Sequence, residues 1–416
     1  MKKRLNNSFL VNIAVLASGS FIAQGIGALT IPVLTRIYTP EDLGLYTYII
    51  SIAAIFLSVV NTRYDVSIVT EPEERNVYPL IKLSLIVGGI VTIIASIGGY
   101  VFFSFKGMPG YLSIYLFVII ASYAIINVLT AYNNRRKEYK VISSVYVLRT
   151  GTQNIGAILL GILSRSIHCL LLPYAIGQLL GIKRQMKPLQ KYWREVISVP
   201  ANKVKEVAFK HKKQFYFSTP ALLANSLSYS IITIFIEMLY GMTQVGFYSI
   251  SVRLLGLPLA LIGGNVSKVF LEQASAEYNE HKHFSYSFKK TFILLLIIAI
   301  PMVLVLTLLA TPICTFVFGK EWAVAGKYIA ILAPMFGIRF ITSAMSPAFV
   351  IINRQGLELI LQMVFLVCGV LSYTISQIYH LEIIDFVTLI SATFSVAYLI
   401  YFLVIYKSVS YTHLTL

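Results

Sequence analysis

Acidic side chains are scarce in this sequence. It holds 17 Asp and Glu against 34 Lys and Arg in 416 residues, and only 12% of the chain is charged, about half of what a soluble globular domain carries. With 57% hydrophobic residues, that shortage excludes an ordinary water-soluble domain and leaves a polytopic membrane protein. Cysteine is nearly absent. Cys169, Cys314 and Cys368 lie in or beside apolar runs with no CxxC pair, which excludes a secreted disulfide framework and leaves inert thiols packed among helices. The six His are scattered, no His or Cys pair has metal spacing, and no Gly-rich phosphate loop follows a strand. The sequence therefore shows no enzyme constellation and no metal or other cofactor site. The net charge of +17 comes without a basic tail interleaved with aromatics, so nucleic acid is not the partner.

What is present is a series of apolar runs of about 20 residues, the length needed to cross a bilayer. They predict an all-α membrane protein of twelve transmembrane helices at 9–35, 43–69, 79–104, 111–132, 141–163, 167–182, 216–240, 246–267, 288–310, 326–352, 357–378 and 385–406. Lys2-Lys3-Arg4 precede a run that continues to Leu34, too long for a signal peptide, so it reads as an uncleaved first span. Residues 408–416 carry no usable pattern.

The loop charges test this count separately from hydropathy. With the N-terminus cytoplasmic, the inside segments hold 24 of the 34 Lys and Arg, and the outside loops hold five: Arg36, Lys106, Arg165, Lys320 and Lys327. Both termini are then expected inside. Residues 183–214 form the longest break, with ten Lys and Arg and with Pro188, Trp193 and Pro200. They read as a basic cytoplasmic linker between an N-lobe, 1–182, and a C-lobe, 215–416. Six spans per lobe give both lobes the same orientation, a parallel pseudo-two-fold repeat. Residues 268–290 read as the amphipathic end of the eighth span leading to the ninth.

The first hairpin anchors that repeat. Pro32 predicts a break near the end of the first span. Thr39-Pro40-Glu41-Asp42 predicts a fresh helix, with a Thr N-cap, Pro at the first helical position and acids facing the positive end of the dipole. Tyr38-x5-Gly44-x-Tyr46 recurs as Tyr240-x5-Gly246-x-Tyr248 in the second half.

Five cations fall inside the spans: Arg63, Lys82, Arg149, Arg253 and Arg339. A central Arg costs about 2.5–3.5 kcal/mol on insertion scales, so each calls for a reason. At about 1.5 Å per residue, Arg339 lies roughly 18 Å along its helix from Lys327, and Arg149 roughly 13 Å from Lys140. Two readings stand for both: a guanidinium facing an aqueous cavity and binding an anion, or a structural pair with a buried polar partner. Pro334, Gly337 and Pro347 loosen the span of Arg339. Arg253 is intermediate at about 11 Å from Gly246. Arg63 and Asp65 fall near the cytoplasmic end of the second span, where pairing or snorkelling competes with substrate contact. There Asn61 and Asp65 would share a helix face. Arg36 and Glu237, at outer helix ends, suit an anchor or gate, and Lys82 is expected to snorkel. Cations outnumber acids in the spans, which favours an anionic substrate.

These residues also carry a family resemblance. Pro32-x3-Arg36-x-Tyr38-x-Pro40-Glu41-x-x-Gly44-x-Tyr46 resembles the first hairpin of bacterial polysaccharide biosynthesis proteins of the O-antigen flippase type. Arg63-Tyr64-Asp65, Asn134-Arg135-Arg136-Lys137-x-Tyr139-Lys140, Phe215-Tyr216-x-Ser218-Thr219-Pro220, Gly246-Phe247-Tyr248-Ser249 and Phe318-Gly319-x-x-Trp322 are similar to later stretches of that family, in order. The resemblance implies two six-helix lobes around a central cavity and alternating access. It implies movement of an undecaprenyl-diphosphate-linked oligosaccharide from the cytoplasmic to the periplasmic leaflet of the bacterial inner membrane, for O-antigen, capsule or exopolysaccharide synthesis. It also implies that Arg149, Arg253 and Arg339 line the substrate path, and Arg63 is kept as a further substrate candidate from its place in the second span. Asp65 and Glu237 are the acids to examine for ion coupling, with Arg36 as a gate. Membrane lipids surround the protein, and partnership with a polysaccharide polymerase and chain-length machinery stays open.

Two other functions are weighed against this one. A multidrug and cation antiporter of the same superfamily would favour deep acids over deep arginines. A lipid-linked glycan polymerase or ligase would place catalytic groups in a substantial outside loop, whereas these loops run to roughly 4–16 residues once spans of membrane length are removed.

Overall fold

The computed structural model describes residues 2–352 and 354–414, and among them the chain is helical with no strand. In the order in which the chain makes them, the helices of the first half are α1 (Lys2–Ile37), α2 (Pro40–Leu57), α3 (Tyr64–Thr70), α4 (Val77–Phe105), α5 (Leu112–Arg135), α6 (Tyr139–Leu163), α7 (Ile167–Gln190), α8 (Trp193–Ser198) and α9 (Ala201–Lys210). The second half adds α10 (Thr219–Tyr240), α11 (Met242–Pro258), α12 (Gly264–His281), α13 (Ser285–Phe318), α14 (Ala323–Met345), α15 (Ala348–Ile351), α16 (Gln355–Tyr379) and α17 (Ile383–Leu414). Helical spans suit the solvent: in hydrocarbon every backbone N–H needs a protein partner, and a helix supplies one from its own ladder.

Ten of the described helical stretches are long and apolar enough to cross a membrane. The expected spans 141–163 and 167–182 fall on α6 and α7, which form as helices but are not among the ten. Arg149, Thr150, Thr152, Gln153 and Asn154 dilute α6, and Gln178, Lys183 and Arg184 dilute α7. Both are held by helices rather than by lipid alone: α6 packs on α1 and α7, and α5 on α4 and α7. The chain forms two compact units, residues 1–38 with 49–226, and residues 39–48 with 227–416.

Several local expectations change. α1 runs straight through Pro32 and ends at Ile37, so the break comes at the Thr39 cap and not at the proline. Prolines are tolerated in membrane helices because neighbouring groups re-satisfy the freed carbonyl. The cap itself forms as expected and is reciprocal. Thr39 Oγ1 accepts from the Asp42 amide at 3.2 Å, and Asp42 Oδ2 accepts from the Thr39 amide at 3.1 Å. The expected single span 43–69 is broken between α2 and α3, where Thr62 and Arg63 take left-handed backbone angles. Asn61 and Asp65 therefore do not share a helix face. Instead, Asn61 Nδ2 donates to the carbonyls of Ser84 (3.1 Å) and Ala124 (3.2 Å), and its Oδ1 accepts from Asn127 (3.2 Å). One amide thus ties the break to α4 and α5, a side-chain competitor to the helix ladder. The helix α7 continues through Pro188 to Gln190, so the basic segment begins as helix. α17 likewise extends to Leu414, and the last two residues lie outside the described residues.

The repeated glycine motif has a physical meaning within the second unit. A Cβ added at Gly44 would collide with the Met242 carbonyl and lie 3.0 Å from the Gly246 amide, and one at Gly246 would collide with the Pro40 carbonyl. The first turns of α2 and α11 therefore cross backbone to backbone, glycine to glycine. Around this crossing, α14 forms the unit's centre against α11, α13 and α17, with Trp322, Tyr328, Phe340, Phe365, Phe386 and Phe394 fully buried.

In the first unit, α8 and α9 dock on α4 through buried Val196, Val204 and Val207. Lys82 does not snorkel into solvent, because its Nζ donates to the carbonyls of Ile197 (2.7 Å) and Val199 (2.6 Å) in the turn between α8 and α9. Glu71, whose side chain is 0% exposed, locks the far end. Its Oε1 accepts from Lys210 at 2.6 Å, from Asn76 Nδ2 at 3.2 Å and from the Glu73 amide at 3.2 Å, while Oε2 meets His211 Nε2 at 2.7 Å. Burial alone would raise this carboxyl, but the hydrogen bonds from Lys210, His211, Asn76 and the Glu73 amide outweigh it and hold the group down at about 2.

Replacing Gly44 or Gly246 with Ala overpacks the crossing and is expected to remove about 1–3 kcal/mol, read as a lower Tm in detergent. Because the folded pKa of Glu71 is depressed, its stabilisation is full above its ordinary value of 4.5 and fades as pH falls through about 2. Glu71→Gln should therefore lower Tm at pH 7, with the gap to wild type closing as the pH drops below 4.5; a gap independent of pH would contradict this.

Candidate functional site

A guanidinium inside the membrane is tolerated only where other groups replace its water. Arg339 stands on α14 beyond Pro334, with Gly337 between them, where Val303 packs so close that a Cβ would clash. Its guanidinium carbon is 4.2 Å from the centroid of the Tyr229 ring on α10 and 5.2 Å from that of Phe336. Such stacking of Arg on aromatic faces is favourable and strengthens where water is excluded. The Tyr229 hydroxyl is hydrogen-bonded to that of Tyr398 on α17, and Tyr248 completes the set of phenols in the field of the charge. A further acid lies close by in sequence and contact: Tyr401 donates to Glu358 at 3.4 Å. No carboxylate pairs with Arg339 among the described residues, and no protein acceptor hydrogen-bonds to it there. A guanidinium held by its faces keeps its edge N–H groups for a planar, bidentate anion.

Arg149 is held differently, in the first unit. It donates to the side-chain oxygen of Gln178 on α7, and its guanidinium carbon is 5.8 Å from the Tyr123 ring. Tyr174 and Tyr146 are its other electrostatic neighbours, and its Nε is buried without a partner. Gly177 and Gly181 make this possible. A Cβ at Gly177 would sit 3.0 Å from the Arg149 carbonyl, and one at Gly181 would press on Val145 and approach Arg149 Cδ at 3.5 Å. Glycines one turn apart on α7 thus form the groove that seats Arg149.

The other expected site residues separate into pairs. Arg253 on α11 lies in the field of Tyr46, and Glu237 on α10 lies beside the Tyr48 hydroxyl, both in the second unit. Arg63 caps α3 in a left-handed conformation with its Nε buried and unpartnered, and is the charged neighbour of Asp65. Arg36 is exposed in the last turn of α1, where its charge opposes the negative end of the helix dipole. Sequence reasoning missed Tyr229, Tyr398, Gln178 and Glu358. The only hint was the high count of 27 Tyr, with no spacing rule to select among them. No group of three or more His, Cys, Asp or Glu suited to a metal occurs among the described residues.

With this geometry in place, the fold has known counterparts among membrane transporters and flippases. The chain is similar to an inward-facing multidrug resistance MATE family transporter of the MOP superfamily, at 15% identity and a TM-score of 0.70, covering 98% of this chain and 99% of that one. It is similar to the lipid II flippase MurJ in its inward closed conformation, at 17% identity and a TM-score of 0.71, covering 95% of this chain and 87% of that one. It is also similar to a MOP superfamily transporter from Pyrococcus furiosus, whose binding pocket of reverse polarity suggests a different function for that protein, at 17% identity and a TM-score of 0.67, covering 97% and 96%. Likeness at these identities is one of fold. No curated protein matches the sequence. Residues 33–327 match the model of the polysaccharide biosynthesis protein family, and the chain belongs to that family.

Gln178→Leu would leave the Arg149 charge buried without its acceptor and is expected to remove about 2–4 kcal/mol of stability. Thermal unfolding in detergent measures this, and an unchanged Tm would show that Arg149 is hydrated in the folded protein.

Proposed function

We propose that this protein is a flippase, not an enzyme. In this reading it moves a lipid-diphosphate-linked oligosaccharide across the bacterial inner membrane, from the cytoplasmic to the periplasmic leaflet, for a surface polysaccharide such as O-antigen, capsule or exopolysaccharide. The single observation that carries the reading is the Arg339 cage: a membrane-depth guanidinium whose partners are aromatic faces and phenols and not a carboxylate. A diphosphate cannot shed its water into hydrocarbon unaided. Fixed guanidinium edges replace that water with charge-assisted hydrogen bonds, while the prenyl tail stays in lipid. Membership of the polysaccharide biosynthesis protein family supports the substrate class.

In this reading Arg339, Arg149, Arg253 and Arg63 contact the substrate along its path, and Arg36 serves as a gate. Six helices per lobe, 1–182 and 215–416, alternate access about the basic linker 183–214, with both termini cytoplasmic. Asp65 and Glu237 are the acids assigned to ion coupling, and a polysaccharide polymerase with chain-length machinery would be the downstream partner.

The test is reconstitution in liposomes with a short-chain lipid-diphosphate oligosaccharide, its leaflet followed by a membrane-impermeant probe. Wild type is expected to translocate it. Arg339→Ala should slow translocation by at least about tenfold, the loss of one charge-assisted bidentate contact, while keeping wild-type Tm. If wild type moves no such lipid but exchanges organic cations for protons, the protein is an antiporter and the arginine roles fall with the flippase. Unchanged transport after Asp65→Asn with Glu237→Gln would remove the coupling assignment alone.

A further inference from the structure

The segment between α7 and α10 holds none of the residues assigned to the substrate, and its two faces differ sharply. One face carries Val196, Val204 and Val207 into the core of the first unit. The other exposes large apolar rings and chains, with Phe209 72% exposed, Tyr216 64% and Ile197 57%. Lys205 stands one turn before Phe209 on α9, and exposed Lys212 and Lys213 follow directly after the end of that helix. The Lys212 Nζ sits 4.0 Å from the centroid of the Phe209 ring.

The neighbouring cations are already occupied. Lys203 pairs with Glu206 at 2.8 Å, and Lys210 with buried Glu71 at 2.6 Å. Lys205, Lys212 and Lys213 have no acidic partner among the described residues. Glu71 and Lys82 hold the segment at both ends, so the Phe209 side is fixed outward and is not free to fold back.

The place of this face is set by the chain. The stretch Gln214–Tyr240 is apolar and long enough to cross a membrane, and Phe209 precedes its first residue by little more than one turn. An exposed ring with three unpaired lysines at that level matches a bilayer surface, where aromatic side chains enter the headgroup layer and basic ones meet lipid phosphate.

We propose that the Lys205–Phe209–Lys212–Lys213 face binds anionic phospholipid of the leaflet on the linker's side. Phe209 inserts among the lipid glycerol groups, and the three lysines hold phosphate headgroups. The chemistry is that of a resident anionic phospholipid, independent of whatever the protein transports.

The chain has two Trp, Trp193 and Trp322, so Trp193→Phe with Trp322→Phe gives a background in which Phe209→Trp is the sole reporter. The protein is placed in phosphatidylcholine vesicles containing about 10 mol % of a brominated lipid, either phosphatidylglycerol or phosphatidylcholine. Local enrichment by basic residues is expected to make quenching by brominated phosphatidylglycerol at least about twofold stronger. Lys205→Gln with Lys212→Gln and Lys213→Gln should abolish the preference, whereas Lys203→Gln, whose charge is already paired, should leave it intact. Quenching by neither lipid would overturn the proposal by placing the face in water or against protein. Equal quenching by both, or a preference that survives the triple variant, would overturn the assignment to anionic lipid. If the tryptophan-free background does not fold, anionic phospholipid retained after detergent extraction of wild type and of the triple variant reads the same contact. A loss of about twofold or more supports it, and equal retention overturns it.

Discussion

A polar atom inside hydrocarbon has no water to fall back on, and much of this structure follows from that constraint. Backbone groups satisfy themselves by being helical. Where a helix stops early, something else must bond, and Asn61 shows how. The gap between α2 and α3 leaves the ladder, and one carboxamide closes it by reaching the carbonyls of Ser84 and Ala124 on two other helices and accepting from Asn127. The same rule governs the charges. Arg149 has Gln178 and tyrosine rings, and Arg339 has tyrosine and phenylalanine faces. Neither has a carboxylate partner among the described residues.

Much of this was legible in the residues because it is local. The Thr39 cap needs only Thr, Pro and an acid at fixed offsets, and it forms with Asp42 as its reciprocal partner. The glycine repeat was visible as a pattern, although its meaning, two helix starts meeting backbone to backbone, was not. Depth along a helix placed Arg149 and Arg339 away from helix ends, and both lie in the interiors of α6 and α14.

What was not legible depends on groups far apart in the chain. No Gly or Pro marks the break at 58–63; the residues that make it possible are 23 and 63 positions away from Asn61. Conversely, Pro32 and Pro188 look like breaks and are not, because both sit within helices that packing sustains. The tyrosine cage around Arg339 draws Tyr229, Tyr248 and Tyr398 from three helices, and nothing in their spacing joins them. Lys82 looked like a cation seeking water and instead stitches the turn between α8 and α9.

The crossing of Gly44 over Gly246 has a consequence for how such a chain can change. Contacts made by side chains can be adjusted in small steps, a methyl at a time, and many alternatives are nearly equivalent. A contact between two bare backbones offers no such series, since every other residue is larger. This joint is therefore a fixed point that variation can only keep or lose.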